Sequence, residues 1–326
     1  MKSNKMILLV IICFIFSPVG LGSGLAGELV EPGHTLDQRA RILVLSAFGA
    51  EMEMLKNNAT INKTVVINGR TSYVGTLCGN KVVLGLTGIS MVNAAMVAQT
   101  LIDHFNIKGI VFSGIAGGVS PDLNIGDVVV GTNSTQYQEM LAARYTGSGD
   151  EPLDGDESLY DVGWHAIFKD NYGFWFPQPV GVTQKGNDAD AEADIFEFAS
   201  DPDYLAIAAE IVDDVILEKC TPSKVCLDDQ PKITFGLIVS GQTFVDNANY
   251  RMWVCSTFEA SAMDMETAAV AHVAYVNKIP FIPFRSLSDL AGGGPGQNQI
   301  GIFFELAANN SARILLAFLT ELAARE

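Results

Sequence analysis

The sequence predicts an α/β domain with helices on both faces of a central sheet. Three observations carry that expectation. Apolar runs of strand length recur along the chain: "RILVLSAF" (41–48), "GIVFSG" (109–114), "KITFGLIVSG" (232–241) and "PFIPFRSLSD" (280–289). Segments with apolar residues at helical spacing lie between them, Met91 to Phe105 being the clearest. Glycines and polar residues collect where the strands end, which is where open α/β sheets build their sites.

At the N-terminus, "MKSNKMILLVIICFIFSPVGLGSGLAG" places Lys2 and Lys5 before the apolar run Met6 to Phe16, with small residues after it. Residues 1–26 are expected to be a secretory signal peptide, because the run is short for a membrane anchor. A single domain over 38–326 follows, with no repeat and no linker. After the strand at 41–48, "KTVVINGRTSYVGTLCGNKVVLGLTG" reads as hairpin strands turning at Asn-Gly and Gly-Asn. The helix from Met91 to Phe105, the strand 109–114, the glycine-rich "IAGGVSPDLNIGD" and a strand over Val128–Gly131 come next. Residues 136–200 mix Gly, Asp, Pro and aromatics without a period and are expected to be an insertion, a lid or an interface. A helix is expected over Asp203–Leu217, then the strand 232–241. "AMDMETAAVAHVAYV" (262–276) reads as a buried helix opening with Asp264 and Glu266, since a helix N-terminus favours carboxylates. The strand 280–289 and a C-terminal helix close the chain, with Leu306, Ile314, Phe318 and Leu322 near one helix face.

Hydrophobic residues are 48% of the 326 and charged ones 17%, enough for a large core. The formal net charge of −17 excludes nucleic acid and anionic membrane as partners, both of which want basic patches. No membrane contact is expected once the signal is removed. A secretory route frames the cysteines: Cys220 and Cys226 flank a loop and are a candidate disulfide, while Cys78 and Cys255 either pair or stay free. Asn58, Asn62, Asn133 and Asn309 begin glycosylation acceptor patterns, Asn309 inside an expected helix. No spacing suggests a metal site. The secreted, extracellular, cell-wall or vacuolar compartments are the expected locations.

Four strand ends carry the residues with chemistry. Glu51 follows the strand 41–48 through a turn at Gly49, where a plain helix-start carboxylate is the bland reading. The glycines of "SGIAGG" let backbone approach a ligand but form no dinucleotide fingerprint. Phe244 follows a strand and a glycine, placed either for a flat heterocycle or for the core. Asp289 ends an apolar strand beside Ser288, placed either for a general acid whose pKa desolvation raises or for capping the next turn. His272, inside the apolar helix, reads as a core histidine.

In this order, "SAFGAEMEML", "SGIAGG", "SGQTFV", "MDMETAAVAHV" and "RSLSD" resemble the nucleoside phosphorylase superfamily, in particular its methylthioadenosine/S-adenosylhomocysteine nucleosidase branch. With its signal peptide and insertion the chain further resembles plant bark and vegetative storage proteins and related cytokinin-riboside enzymes. The resemblance implies a three-layer α/β/α sandwich with a central mixed sheet. It also implies cleavage of the N-glycosidic bond of a purine-type nucleoside, no cofactor and a homodimer. By the same match Met265 packs on the sugar, Glu266 accepts from its hydroxyls, and Phe244 stacks on the base beside Val245. Ala116, Gly117 and Ser288 bind the nucleoside, Asp289 protonates the base at N7, and Glu51 activates a water. The absence of arginine in "SAFGAEME" favours water over phosphate, although Ser90 and Arg285 are candidates for holding a phosphate co-substrate. Ile115, Asp264 and Met91 stand where this branch often has Ser, Glu and Lys. The competing reading is a storage protein on the same fold with little or no catalysis.

Overall fold

The computed structural model describes residues 28–29, 36–143, 174–188, 190–294 and 296–325. The expected signal peptide and residues 144–173 of the expected insertion lie outside the described residues.

The sheet begins with β1 (Glu28–Leu29), β2 (Asp37–Ser46) and the meander β3 (Thr60–Ile67), β4 (Arg70–Leu77) and β5 (Asn80–Leu86). It continues with β6 (Phe105–Gly118), β7 (Val128–Gln136), β12 (Phe198–Ala199), β13 (Ile233–Ser240), β14 (Ala262–Asp264) and β15 (Phe281–Asp289). Spatial order is β1-β3-β4-β5-β2-β6-β14-β13-β7-β12, and β15 pairs with both β6 and β7. β2 runs parallel to β5 and β6, β15 parallel to β6, and β14 antiparallel to β6, so the sheet is mixed.

Successive residues of β2 bury on opposite faces. Ile42 and Val44 join a core with α1 (Gly49–Asn58), α3 (Pro202–Ile211) and α6 (Ile300–Ala324). Leu43 and Leu45 join a second core with α2 (Met91–His104) and α5 (Thr267–Asn277). A strand covered on both faces needs apolar residues at every position, which is why 41–48 reads as a continuous run. Leu306, Ile314, Phe318 and Leu322 of α6 are all buried, each contributing about 1.5–3 kcal/mol. α6 is long and apolar enough to cross a membrane, and here it lies against the sheet instead.

Several boundaries differ from expectation for local reasons. The second meander turn is Cys78-Gly79, both at positive φ, and Asn80 already pairs with Leu77. β6 runs through Ile115–Gly118, so the first four residues of the glycine-rich stretch are strand. The strand expected over Val128–Gly131 continues to Gln136. The helix expected over Asp203–Leu217 stops at Ile211. A helix the sequence reading missed, α4 (Ala248–Phe258), is capped by Asn247, whose side chain accepts from the Tyr250 N–H. The largest correction concerns 262–276: Ala262–Asp264 is strand, Glu266 is the N-cap and the helix begins at Thr267.

Within 136–200, β8 (Met140–Ala143) pairs antiparallel with β9 (Phe174–Pro177), and β10 (Val180–Val182) with β11 (Ala193–Ile195). β12 then rejoins the main sheet against β7. The excursion therefore leaves and returns at one sheet edge.

Cys220 and Cys226 form a disulfide, and Cys78 and Cys255 are free. The Asn309 acceptor pattern fails sterically: Asn310 and Ser311 are buried in α6, and the Ser311 hydroxyl donates to the Phe284 carbonyl. His272 stacks on Phe198 and bonds to Gln136, a core role.

Candidate active site

The site lies where β2, β13, β14 and β15 end beside β6. Its centre is Arg285, which sits in the middle of β15 with no exposed surface. Three carboxylates converge on this one guanidinium. Nε lies 2.7 Å from Asp264 Oδ2, Nη1 3.9 Å from Glu51 Oε1, and Nη2 3.9 Å from Glu266 Oε2. Nε also donates to Thr267 Oγ1 at 2.8 Å, and the guanidinium carbon stands 4.1 Å over the Phe112 ring. Nη1 and Nη2 have no hydrogen-bond partner on the protein among the described residues. Buried donors of this kind are costly unless they meet an acceptor, so they point to an oxygen supplied by a bound molecule.

Each carboxylate is fixed by the element that carries it. Glu51 is the third residue of α1, and Oε2 accepts from the Ala47 and Phe48 N–H groups at 2.6 and 3.3 Å. Oε1 accepts from the Ile115 N–H of β6 at 2.8 Å. Burial pushes the Glu51 carboxyl up, and Arg285 and then the three N–H groups oppose it. Every hydrogen-bond neighbour at its two oxygens is a donor, and these bonds favour the ionised form. Gly114 makes room for the pair: a Cβ there would fall 1.8 Å from Arg285 Nη1 and 2.7 Å from Glu51 Oε1.

Asp264 ends β14. Its Oδ1 accepts from the Ser240 hydroxyl at 2.5 Å and from the Glu266 and Thr267 N–H groups at 3.1 Å, and its Oδ2 from the Thr267 hydroxyl. It is the rigid anchor that orients Arg285 and starts α5. Glu266 accepts from the Ser90 N–H at 2.9 Å. Burial first, then the Asp264 charge, push its carboxyl well above the ordinary range, against Arg285 and Ser90.

A second carboxylate environment lies two residues along β6. Gly117 pairs with Asp289, and a Cβ on Gly117 would come within 3.4 Å of Asp289 Oδ1. Asp289 is buried, with no cation beside it among the described residues. Oδ1 accepts from the Ala291 N–H at 2.8 Å and the Asn298 amide at 3.3 Å. Oδ2 accepts from the Ser288 hydroxyl at 3.0 Å, which also reaches the Ala116 carbonyl at 3.3 Å. Burial pushes the Asp289 carboxyl up; these donors oppose it and the Asp246 charge adds to the rise.

The expected residues thus fall into two adjacent groups. Glu51 and Glu266 gather at Arg285, while Ala116, Gly117 and Ser288 surround Asp289. Val245 is buried in a small core with Tyr137, Met263 and Ala291. Phe244 stands 50% exposed at the rim, free to cover a flat ring but packed in no core. Met265 is half-buried next to Glu266. The sequence reading missed Asp264 and Arg285 as the hub, although an arginine inside the apolar run "PFIPFRSLSD" was a legible signal. Nothing in the pattern pointed to Ser240, Thr267 or Asn298.

Residues 41–320 match the sequence family described as the Phosphorylase superfamily. The 5′-methylthioadenosine/S-adenosylhomocysteine nucleosidase of Listeria innocua is 28% identical over 85% of this chain and 97% of its own length. That of Tolumonas auensis is 26% identical over 86% and 100%. The crystal structure of the Neisseria meningitidis nucleosidase in complex with methylthio-immucillin-A superposes with a TM-score of 0.62 at 25% identity, covering 86% of this chain and 98% of that one.

Proposed function

The chain belongs to the Phosphorylase superfamily, and on that premise we propose that it is a nucleosidase-type enzyme that hydrolyses the N-glycosidic bond of an adenine-type nucleoside. The observation that carries the reading is the division of buried carboxylates between two environments, one at Arg285 and one without a cation among the described residues. Glycosidic cleavage through an oxocarbenium-like state needs an acid on the leaving group and an activated nucleophile at the anomeric carbon. Two carboxyls in different surroundings divide those roles.

In this mechanism Asp289 carries a proton and gives it to N7 of the purine as the bond between C1′ and N9 breaks. Its Oδ1 is occupied by two N–H donors, so the transferable proton sits on Oδ2, with the Ser288 hydroxyl turned to the Ala116 carbonyl. Glu51 takes a proton from water as the water oxygen bonds to C1′. The Nη1 and Nη2 groups of Arg285, lacking protein acceptors, donate to the oxygens of the sugar and the nucleophile. Glu266 and Met265 hold the ribose, and Phe244 with the Val245 backbone holds the base.

Water is favoured over phosphate because three carboxylates share a single arginine. A phosphate dianion entering beside them meets like charge at low dielectric. Arg70 is the observation on the other side: it packs against Gly88 and bonds to Asn93 with no carboxylate partner among the described residues. An adenine-type base is proposed because the substrates in the relatives' names share adenosine; cytokinin ribosides are the finer candidates. A homodimer belongs to the same proposal, with the exposed Ile89, Val92 and Met96 beside Ser90 as an apolar face for it. So does a secretory location, which the Cys220–Cys226 bond suits.

The test is a mass-spectrometric product assay with adenosine, 5′-methylthioadenosine and isopentenyladenosine, each with and without phosphate. Free base and free ribose, independent of phosphate, are expected. Ribose 1-phosphate would replace hydrolysis by phosphorolysis. No free base from folded protein would leave the storage reading in first place.

A further inference from the structure

Ser90 occupies a backbone conformation that side chains avoid. Its φ is 93° and its ψ 145°, a region that glycine populates freely and other residues enter at a cost of about 1–3 kcal/mol. Two bonds use that conformation. The Ser90 N–H donates to Glu266 Oε1 at 2.9 Å, and the Ser90 hydroxyl donates to Gln242 Oε1 at 2.6 Å. Gln242 belongs to the loop that carries Phe244 and Val245. Its own N–H donates to Gln138 Oε1 at 2.5 Å, and the Gln138 amide donates to Thr243 Oγ1 at 2.9 Å. Gly241 admits this arrangement, because a Cβ there would meet Gln138 and Tyr137 at 2.6 Å.

Three loops from distant parts of the chain therefore meet in one line of bonds. The first is the turn before α2, the second the loop after β13, and the third the start of the excursion after β7. A glycine at position 90 would relieve the backbone and keep the bond to Glu266, but it would forfeit the bond to Gln242. What the serine adds is the connection between loops.

We propose that Ser90 is a positioning residue whose hydroxyl, through Gln242, ties the carboxylate Glu266 to the loop of Phe244, so that the sugar-side and base-side walls of the site hold one spacing. The assignment of sugar and base sides rests on the nucleosidase reading; the mechanical link does not. Two residues joined by one bond must show non-additive effects when replaced singly and together.

The experiment uses the full mature chain and the variants S90A, S90G, Q242A, Q242E and S90A/Q242A. Hydrogen–deuterium exchange is read on the free protein at residues 241–245 and 88–91. We expect S90A to speed exchange at 241–245, and Q242A to speed exchange at 88–91, each about tenfold or more. The double variant should match the singles, and Q242E, which keeps an acceptor, should restore protection. S90G should raise the melting temperature by several degrees above S90A, because it releases the strained φ. With 5′-methylthioadenosine as probe, S90A and Q242A should raise KM about five- to twentyfold with a smaller change in kcat, about 1–2 kcal/mol of lost uniform binding.

Unchanged exchange at 241–245 in S90A, or additive effects in the double variant, would overturn the link. If the wild type releases no base from any nucleoside, the nucleosidase reading fails while the exchange data still decide the bridge. If base is released and the exchange changes occur with KM unmoved, the positioning role is refuted and the bond is structural only.

Discussion

Glu51, in the first turn of α1, and Asp289, at the end of β15, are both buried carboxyls reached from β6 only two residues apart. Their surroundings differ in one decisive respect. Glu51 faces Arg285 and three backbone N–H groups, while Asp289 faces a hydroxyl, an amide, one N–H and the negative Asp246, with no cation among the described residues. Burial pushes both carboxyls up; a cation and three N–H groups oppose the rise at Glu51, whereas only neutral donors oppose it at Asp289. The comparison teaches that the acid and the nucleophile's base differ in neighbours rather than in residue type. Breaking either set of neighbours should therefore break one role and spare the other.

The largest effect is expected at the hub. Removing Arg285 leaves Asp264, Glu51 and Glu266 facing one another in the interior. Stranding a buried charge costs about 3–5 kcal/mol, and Arg285 is the shared cation of this carboxylate cluster. R285M should lower the unfolding free energy by at least that range in urea titration, more than any other single change at the site. A loss under 1 kcal/mol would mean that the carboxylates are neutral in the fold, and the contrast with Asp289 would collapse.

The next effect separates the two roles by chemistry. D289N removes the acid and should lower kcat for adenosine by about 10²–10⁴-fold. A riboside with a nitrophenolate leaving group needs no proton, so D289N should turn it over within a few fold of wild type. E51Q removes the base that activates water and should slow both substrates. Equal losses on both substrates in D289N would show that Asp289 positions the substrate rather than protonating it.

That contrast also explains what could be read from sequence. The central strands were legible because burial on both faces demands unbroken apolar runs, as in "RILVLSAF". Glu51, Glu266 and Asp289 stood out as carboxylates beside such runs, but helix-start and capping roles explained them equally well, and their chemical roles came from the resemblance of the ordered motifs. The helix at 262–276 was misread at its start. Its periodicity holds only from Thr267, and Ala262–Asp264 becomes strand because it pairs with Gly117–Gly118 and with β13, partners remote in sequence. The hub was missed for the same reason. Arg285 meets Glu51, Asp264 and Glu266 only once β2, β14 and β15 are all brought beside β6, and no local pattern carries that register. α4 was missed because its apolar residues form no clear stripe; its start is fixed by the Asn247 cap.

A smaller effect sharpens the comparison through pH. Burial and the neighbouring Asp264 push Glu266 up to about 8 in the fold, from an ordinary 4.5. The folded protein then holds a proton that the unfolded chain releases between those values. The associated stability is fully present below about 4.5 and is lost as pH rises through about 8. E266Q cannot titrate, so its unfolding free energy should fall less steeply over pH 5–8. The difference from wild type is at most about 1.4 kcal/mol per pH unit. Parallel curves for the two proteins would place the proton elsewhere in the cluster.

The smallest effect tests the Asp289 side alone, by two changes of opposite sign. Asn298 donates one amide nitrogen to both Asp289 Oδ1 and Asp246 Oδ1, at 3.3 and 3.1 Å. Its bond to Asp289 favours the ionised form, and the Asp246 charge favours the protonated form. N298A should therefore shift the alkaline limb of kcat/KM to higher pH, since Asp289 keeps its proton longer. D246N should shift the same limb to lower pH, because the charge that holds the proton in place is gone. Each shift should be below about one pH unit, given one bond or one partly screened charge. Neither residue touches Glu51, so the acid limb should stay where it is in both variants. Shifts of the same sign would mean that the two replacements act by loosening the loop after β15, and that Asp289 is tuned by burial alone.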